Sequence, residues 1–382
     1  FEIIAPSKWM QNISQKCNIT YNKKIHLLKT PIDTNFFKKI DKVKSRNKLN
    51  IKIKDYVILF SSLGGVNDER KGWTYLYSSL KKLSIEGLKA TVLLVGQEEI
   101  KINKIKNINF IFFGKVKDEN ILPYLYSSAD VTAIPSLNDN LPQVGIESLS
   151  CGTPLVTFDN GGNSDLVEHR RTGYLAQYKN INQFAEGLIW VKNQTKLVSN
   201  VINYVKKNYN QNQLLKNYEK IYFDLKKKNA VRPIIFSSSD TAGGAQRAAY
   251  RVVNSQINNG IKSNLYVNRK FSDDKNVFTP ENNFLYIQNR LRSFIGTLIS
   301  NYIAKQTNKI NFYSLNIFNS PWPKLLNNTN SNIIDLHWFG AESLSIKDVR
   351  KIKKNLVFTL HDMWAFSGIE HYDSEYLLDL LE

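Results

Sequence analysis

The chain has 382 residues, of which 42% are hydrophobic and 22% charged, and its formal net charge is +19. This length suits two to three domains of about 150 residues with sizeable cores, the composition is that of an ordinary globular protein, and no apolar run nears the roughly 20 residues of a membrane span. Cys17 and Cys151 form neither a disulfide framework nor a metal spacing, which fits a reducing cytoplasm. The positive charge favours polyanions or an anionic membrane surface. The lysines are scattered, however, and no basic face is interleaved with aromatics, so nucleic acid is not an expected partner.

The chain opens at Phe1 without a methionine, which leaves a leader segment open. "FEIIAPS" reads as a strand running into a loop. "YVILFSSLGG" (56–65) is a strand and loop, with a helix from about Trp73. "KATVLLVGQ" and "INFIFFGKV" are further strands. "NILPYLYSSA" is a helix, "DVTAIPS" a strand, "QVGIESLSC" a helix and "TPLVTFD" a strand. Short runs rich in Val, Ile and Phe that alternate with helices predict a parallel sheet with crossovers.

From about 194 the pattern is helical. Leu214, Tyr218, Ile221 and Leu225 share one face, and the charged break "KKKNAVRP" (226–233) closes the run. A second alternating region follows. "RPIIFSSS" and "DTAGGAQRAAYRVVNSQINNG" read as strand, glycine turn and helix, and "SNLYVNR", "NIIDLHWFG" and "NLVFTLHDMWAF" as further strands. A helix near 288–304 is apolar on one side. Packing against the sheet is its ordinary use, and contact with a membrane surface is the other reading.

Asp139 and Glu147 stand eight residues apart, in the loop after "VTAIPS" and in the helix beyond it. Ligands of open parallel sheets bind at the carboxyl edge. A carboxylate there can accept hydrogen bonds from vicinal hydroxyls, though acids near a helix start also simply complement its dipole. Pro142 suits the first helical position. "RKGW" (70–73) puts Arg70 and Lys71 at a helix start, where phosphate is attracted, although solvated surface charge is the ordinary reading of two basic residues alone. Gly243 and Gly244 form a turn between strand and helix that lets a ligand approach the backbone, but the G-x-G-x-x-G fingerprint is absent. His361 and Asp362 end a strand, and a histidine there can bind a hydroxyl or move a proton. No second His/Asp cluster supports a metal. His337 reads as a partly buried strand histidine.

In combination these stretches resemble the family-four, retaining glycosyltransferases of the GT-B fold. "D-x-L-P-x-x-x-x-E-S-L-x-C-G-T-P-L-V" is similar to that family's acid-seven-residues-acid motif, with Asp139 where many members have Glu. "APSKWM", "PIDTNFF", "DERKGW" and "NGGNSDLVEHRRTGYL" are similar in family order, and "SSSDTAGGAQRAAYR", "IIDLHW" and "TLHDMWAFSG" resemble the family's acceptor-side domain. The implied architecture is α/β, with two Rossmann-like parallel-sheet domains of GT-B type, the second truncated. Residues 1–30 are then the tail of an upstream N-terminal domain and 31–193 the nucleotide-sugar domain. Closing helices and a linker occupy 194–230, and 231–382 form a partial acceptor-side domain. Donor half preceding acceptor half implies the junction of two tandem units; pairing of the halves as a circular permutant is the alternative.

The resemblance also implies roles. Asp139 sits beside the donor sugar with amides near Leu141 and Pro142, Glu147 holds the ribose, and Lys71 neutralises the diphosphate. Val66 stands where the family usually has Arg, with Arg70 as substitute. Lys115 and Val116 lie near the base, Gly243 and Gly244 approach the diphosphate, and His361 contacts the donor sugar. "SGIEHY" lacks a Cys often seen in relatives. The expected activity is transfer of a sugar, with retention, from a nucleoside-diphosphate sugar to a glycan or lipid-linked acceptor in bacterial surface polysaccharide synthesis. No cofactor or metal is expected. The setting is the cytoplasm, with peripheral contact at the inner membrane face. The alternative is a non-catalytic nucleotide-sugar-binding fragment. Two-carboxylate glycoside hydrolysis is disfavoured, because Asp139 and Glu147 read as binding groups rather than a facing pair.

Overall fold

The computed structural model describes residues 1–62, 64–226, 231–280, 283–307, 313–367 and 371. Residues 227–230 of the charged break, the centre of "SGIEHY" and the end at Glu382 lie outside the described residues. The chain forms two compact units, Ile32–Asn210 and Phe1–Pro31 together with Gln211–Glu382.

The strands are β1 (Glu2–Ala5), β2 (Ile25–Leu27), β3 (Val57–Ser61), β4 (Ala90–Val95), β5 (Ile108–Phe112), β6 (Val131–Ile134), β7 (Leu155–Phe158), β8 (Gly173–Ala176), β9 (Pro233–Ser239), β10 (Asn264–Arg269), β11 (Val277–Phe278), β12 (Ile333–Leu336) and β13 (Asn355–Thr359). The helices are α1 (Lys8–Lys16), α2 (Lys42–Lys48), α3 (Trp73–Ile85), α4 (Leu122–Ser128), α5 (Gln143–Ser150), α6 (Ile181–Lys192), α7 (Leu197–Asn208), α8 (Gln211–Lys226), α9 (Gly244–Asn258) and α10 (Asn283–Thr307). Shorter helical turns complete the set.

The unit 32–210 is built on a six-stranded parallel sheet in the order β5-β4-β3-β6-β7-β8. Every residue of β4 is buried, as expected of a parallel strand covered on both faces. The chain runs outward from β3 to β5, returns, and runs the other way from β6 to β8. Strand order therefore reverses between β3 and β6, and the loops after these two strands flank a crevice at the carboxyl edge.

The other unit has seven parallel strands in the order β11-β10-β9-β12-β13-β1-β2. Its reversal lies between β9 and β12. Each unit is thus the Rossmann-like α/β architecture anticipated. Residues 1–30, expected as the tail of an upstream domain, contribute two strands to the sheet that residues 233–359 build. Glu2, Ile3 and Ile4 lie in register with Val357, Phe358 and Thr359. The reason is apolar: Ile4 shares one core with Ile235, Val252 and Val357.

The helical stretch expected over 194–230 is divided in the same way. Val201 and Val205 of α7 join the core of Ile146 and Leu149. Leu214, Tyr218, Ile221 and Tyr222 of α8 join the core of Ile4 and Ile235.

The first prediction tests this pairing. Ile4→Ala removes a fully buried side chain and should cost about 2–5 kcal/mol. Hydrogen exchange should quicken in β13 and β9 while β3 and β4 keep their protection. Loss of protection confined to β3 and β4 would refute this sheet order.

Candidate functional site

In the unit 32–210, three loops meet at the reversal of strand order. A short 3₁₀ turn, Glu69–Lys71, precedes Gly72 at the head of α3. Gly72 has φ +68°, and a Cβ there would lie 1.8 Å from the carbonyl oxygen of Pro135. Only glycine therefore lets the 68–72 loop lie against the loop after β6. Leu137 donates its N–H to the Arg70 carbonyl at 2.7 Å. The loop after β7 closes the third side, where Gly162 donates to the Asp139 carbonyl at 3.0 Å. A Cβ on Gly162 would overlap the Asn140 carbonyl at 1.2 Å. Asn160 Nδ2 donates to Leu137 O at 2.6 Å and Asn163 Nδ2 to Ser136 O at 3.3 Å.

This packing brings Lys71 Nζ to 2.7 Å from Asp139 Oδ2. The two side chains retain 25% and 12% exposure, so the pair opens to solvent. Arg70 is held by Asp68, with Nη2 2.9 Å from Oδ2 and Nε 3.2 Å from Oδ1. Its substitution for the missing arginine would require leaving that partner. The amide of Val66, the residue standing at that arginine's place, is instead bound by Gln97 Oε1 at 2.9 Å.

Pro142 is the residue before α5 rather than its first helical residue, and it carries no N–H, so it supplies no amide to a ligand. Leu141 is buried. Glu147 lies in α5, 3% exposed, and accepts the Tyr126 hydroxyl at 2.5 Å. Burial, and secondarily the Glu147 charge, push the Cys151 thiol far above its ordinary value, so this cysteine is not a nucleophile. Lys115 is exposed and Val116 half-buried after β5, two strands away from β3. The Lys115 amide donates to Glu98 Oε1 at 3.3 Å.

The second unit places Gly243 and Gly244 after β9 and His361 after β13, with β12 between those strands. Gly243 has extended backbone, so its glycine meets closeness rather than strain: a Cβ would lie 2.5 Å from Gln246 Oε1. A pocket opens at the ends of β12 and β13, lined by His337, Trp338, Gly340, His361, Asp362 and His371, among others. Behind His361 runs a buried polar chain. His337 Nδ1 is 2.9 Å from His361 Nε2, and His337 Nε2 is 3.6 Å from Asp335 Oδ2. Asp335 accepts the hydroxyls of Tyr222 at 2.6 Å and Thr359 at 2.8 Å. Burial alone would raise the Asp335 carboxyl, but His337, Tyr222 and Thr359 outweigh it and hold the group below its ordinary range. His337 thus stands between Asp335 and His361, and Nδ1, the ring nitrogen of His361 that does not face His337, can meet a ligand hydroxyl.

Asp362 turns the corner after His361. It accepts Trp338 Nε1 at 2.8 Å and His371 Nδ1 at 2.5 Å, and His371 Nε2 is 2.8 Å from Ser314 Oγ. Ser314, His371 and Asp362 stand in hydrolase-triad order. Ser314 is buried, however, and its oxygen already accepts the Ala341 amide at 3.2 Å. The trio is a clamp on the corner. Among the described residues, no three His, Cys, Asp or Glu side chains are grouped to hold a metal.

Sequence reasoning reaches Lys71, Asp139, Glu147 and His361. It misses Gln97, Tyr126, Asn160, Asn163 and the partners Asp335 and His371. The asparagines stand in a quoted motif, and an Asn after a buried strand is a signal for loop bracing. The others become visible only in three dimensions.

Residues 41–208 match the sequence profile of the family described as glycosyl transferases group 1. That span contains Arg70, Lys71, Lys115, Val116, Asp139, Leu141, Pro142 and Glu147, and it excludes Gly243, Gly244 and His361. An uncharacterized glycosyltransferase of Haemophilus influenzae is 30% identical over 138 residues, 33% of this chain and 37% of that one. An uncharacterized glycosyltransferase of Methanocaldococcus jannaschii is 26% identical over 175 residues, 44% of this chain and 43% of that one. Protein CapJ of Staphylococcus aureus is 27% identical over 211 residues, 53% of this chain and 50% of that one. The chain thus spans half or less of the length of these curated relatives. Among solved structures, sucrose-phosphate synthase from Thermosynechococcus elongatus is 20% identical, with a TM-score of 0.47 over 58% of this chain and 57% of that one.

Burial, then repulsion from His337, lowers His361 from 6.5 to about 3. Its unfolded form takes up a proton near pH 6.5 while the folded form does not. Stability is therefore full above about 6.5 and falls with acid, by about 1.4 kcal/mol per pH unit down to about 3. Asp335 and Asp362, both lowered, add losses of the same sign once the pH falls below about 4. Urea denaturation between pH 7 and 4.5 should show this slope, and His361→Asn should flatten it. An unchanged slope in the variant would assign the acid sensitivity elsewhere.

Proposed function

We propose that this protein transfers a sugar, with retention, from a nucleoside-diphosphate sugar to a hydroxyl of a glycan or lipid-linked acceptor, as in bacterial surface polysaccharide synthesis. The observation that carries the reading is the Lys71–Asp139 pair. Two loops deliver it to the reversal point of a sheet within a segment matching group 1 glycosyl transferases. A diphosphate entering this crevice offers Lys71 a doubly charged partner in place of Asp139, and the freed carboxylate accepts hydrogen bonds from the sugar. Glu147, steadied by Tyr126, takes the ribose hydroxyls, and Lys115 and Val116 flank the base.

As the glycosidic bond to the diphosphate breaks, negative charge grows on the leaving oxygen and positive charge on the sugar ring. Lys71 stabilises the first, and the nearby Asp139 carboxylate the second. The acceptor hydroxyl attacks on the face the diphosphate leaves, giving retention, and its proton passes to the departing phosphate. No cofactor or metal belongs to this scheme. In the other unit, Gly243 and Gly244 offer close backbone approach to an anion, and His361 accepts a sugar hydroxyl. The proposed setting is the cytoplasm.

Calorimetric titration with a panel of UDP- and GDP-sugars tests the donor half. Lys71→Met removes a charged hydrogen-bond partner worth about 1.5–3 kcal/mol, so affinity should fall about ten- to hundredfold. Glu147→Gln should weaken nucleotide binding less, because Tyr126 keeps a partner. His361→Asn should leave binding of the free nucleoside diphosphate unchanged. No donor binding, or binding indifferent to Lys71 and Glu147, would overturn the assignment.

A further inference from the structure

In the unit 32–210, the loops after β3, β4 and β5 are tied together through Gln97 and Glu98. Gln97 is buried. Its Oε1 accepts the Val66 amide, in the loop after β3, at 2.9 Å, and its Nε2 donates to the Glu98 carbonyl at 2.7 Å. The loops after β4 and β5 are joined by their backbones, with Gly96 donating to Gly114 O at 2.7 Å and Gly114 to Gln97 O at 3.1 Å. Gly114 has φ +55°, and a Cβ there would lie 2.8 and 2.9 Å from the two Glu98 carboxylate oxygens. Glycine at this position lets an acidic side chain lie against the loop after β5, beside Lys115.

Glu98 is nevertheless exposed. Among the described residues its carboxylate accepts one hydrogen bond, from the Lys115 amide at 3.3 Å, and makes no ion pair, in a chain with 52 lysines and arginines against 33 acids. A carboxylate has about four acceptor sites, so most of the capacity of this one is left to solvent or to a ligand at the carboxyl edge of the sheet.

We propose that Glu98 selects the base of the bound nucleotide, and that the base is guanine. The inference rests on the transferase reading, which puts the base beside Lys115 and Val116. Guanine carries N1–H and a 2-amino N–H side by side on one edge. These two parallel donors match the two oxygens of a carboxylate, as the fork of an arginine does. Uracil offers a single N3–H flanked by two carbonyls, so a carboxylate that accepts the N–H sets its other oxygen against a carbonyl oxygen. Adenine and cytosine place their amino group next to a ring nitrogen that carries a lone pair, with the same repulsion. The Lys115 amide is already donated to Glu98, so it is not on offer to a pyrimidine carbonyl. Rejection of the other bases contributes to the selection as much as the bonds to guanine do. The contacts of Gln97 and Gly114 hold the loop before a ligand arrives, which lowers the ordering cost of binding.

Calorimetric titration of the full chain with GDP, IDP, ADP and UDP tests the proposal, with ADP as the control for purine stacking. GDP should bind at least about tenfold more tightly than UDP or ADP, and IDP, which lacks only the 2-amino group, about tenfold more weakly than GDP. Glu98→Gln keeps an acceptor for the Lys115 amide. It should lower GDP affinity about tenfold and leave UDP and ADP no weaker, with Tm unchanged. Equal losses for every nucleotide would show that Glu98 only braces the loop and would overturn the proposal. So would a wild type that binds UDP or ADP as tightly as GDP, a result that leaves the transferase reading standing where Lys71→Met weakens that binding. A wild type that binds no nucleoside diphosphate would overturn both.

Discussion

The pairing of β1 with β13 is the contact on which one whole unit depends. Ile3 and Ile4 sit in register with Phe358 and Thr359, and Leu360 donates its amide to the Ile4 carbonyl at 2.9 Å just before His361. Ile3, Ala5 and Met10 then form one core with Leu360 and Met363. The first ten residues therefore form the floor of the corner that carries His361 and Asp362. The same unit recruits α8, whose Tyr222 holds the buried Asp335 carboxylate behind His337. A loosened N-terminal strand would be felt in side-chain geometry more than 350 residues away in sequence.

The two candidate sites arise from one constraint. Parallel strands need crossovers, so every loop that follows a strand emerges at the same edge. Where strand order reverses, two such loops part, and glycine decides how closely they are bridged. Gly72 and Gly162 do this in the unit 32–210, and the result is a lysine facing an aspartate. Each unit reaches the arrangement with different residues: an exchangeable ion pair in one, and neutral imidazole backed by a buried anion in the other.

Much of the architecture was legible because strand burial leaves an unmistakable trace. Runs such as "ATVLLV" and "PIIFSSS" can lie in few places other than the middle of a sheet. β2 was not legible, because its three residues are half-buried or exposed. Candidate site residues stand out where a motif concentrates them, as with Asp139 and Glu147. Their partners do not, since Lys71 lies 68 positions from Asp139 and Tyr222 lies 113 from Asp335. Only the strand order brings these pairs together, and strand order is not written in local periodicity. The placement of residues 1–30 escaped for the same reason: their apolar faces announced a strand without naming its neighbour.

Helix α10 shows the reverse limit. Its period was readable, but period alone does not say which face turns inward. The polar side won the interior because Arg292 and Ser293 find carbonyl partners there and Gly296 removes the steric barrier to Glu342. Burial lowers the Arg292 guanidinium below its ordinary value while Asp348 and Glu342 oppose the shift, so the protein accommodates a buried cation in order to seat this helix. A buried charge needs compensating partners wherever it occurs. Supplying them here, on a helix whose outer face exposes Leu291, Phe294 and Leu298, fixes that face toward the surroundings rather than the core.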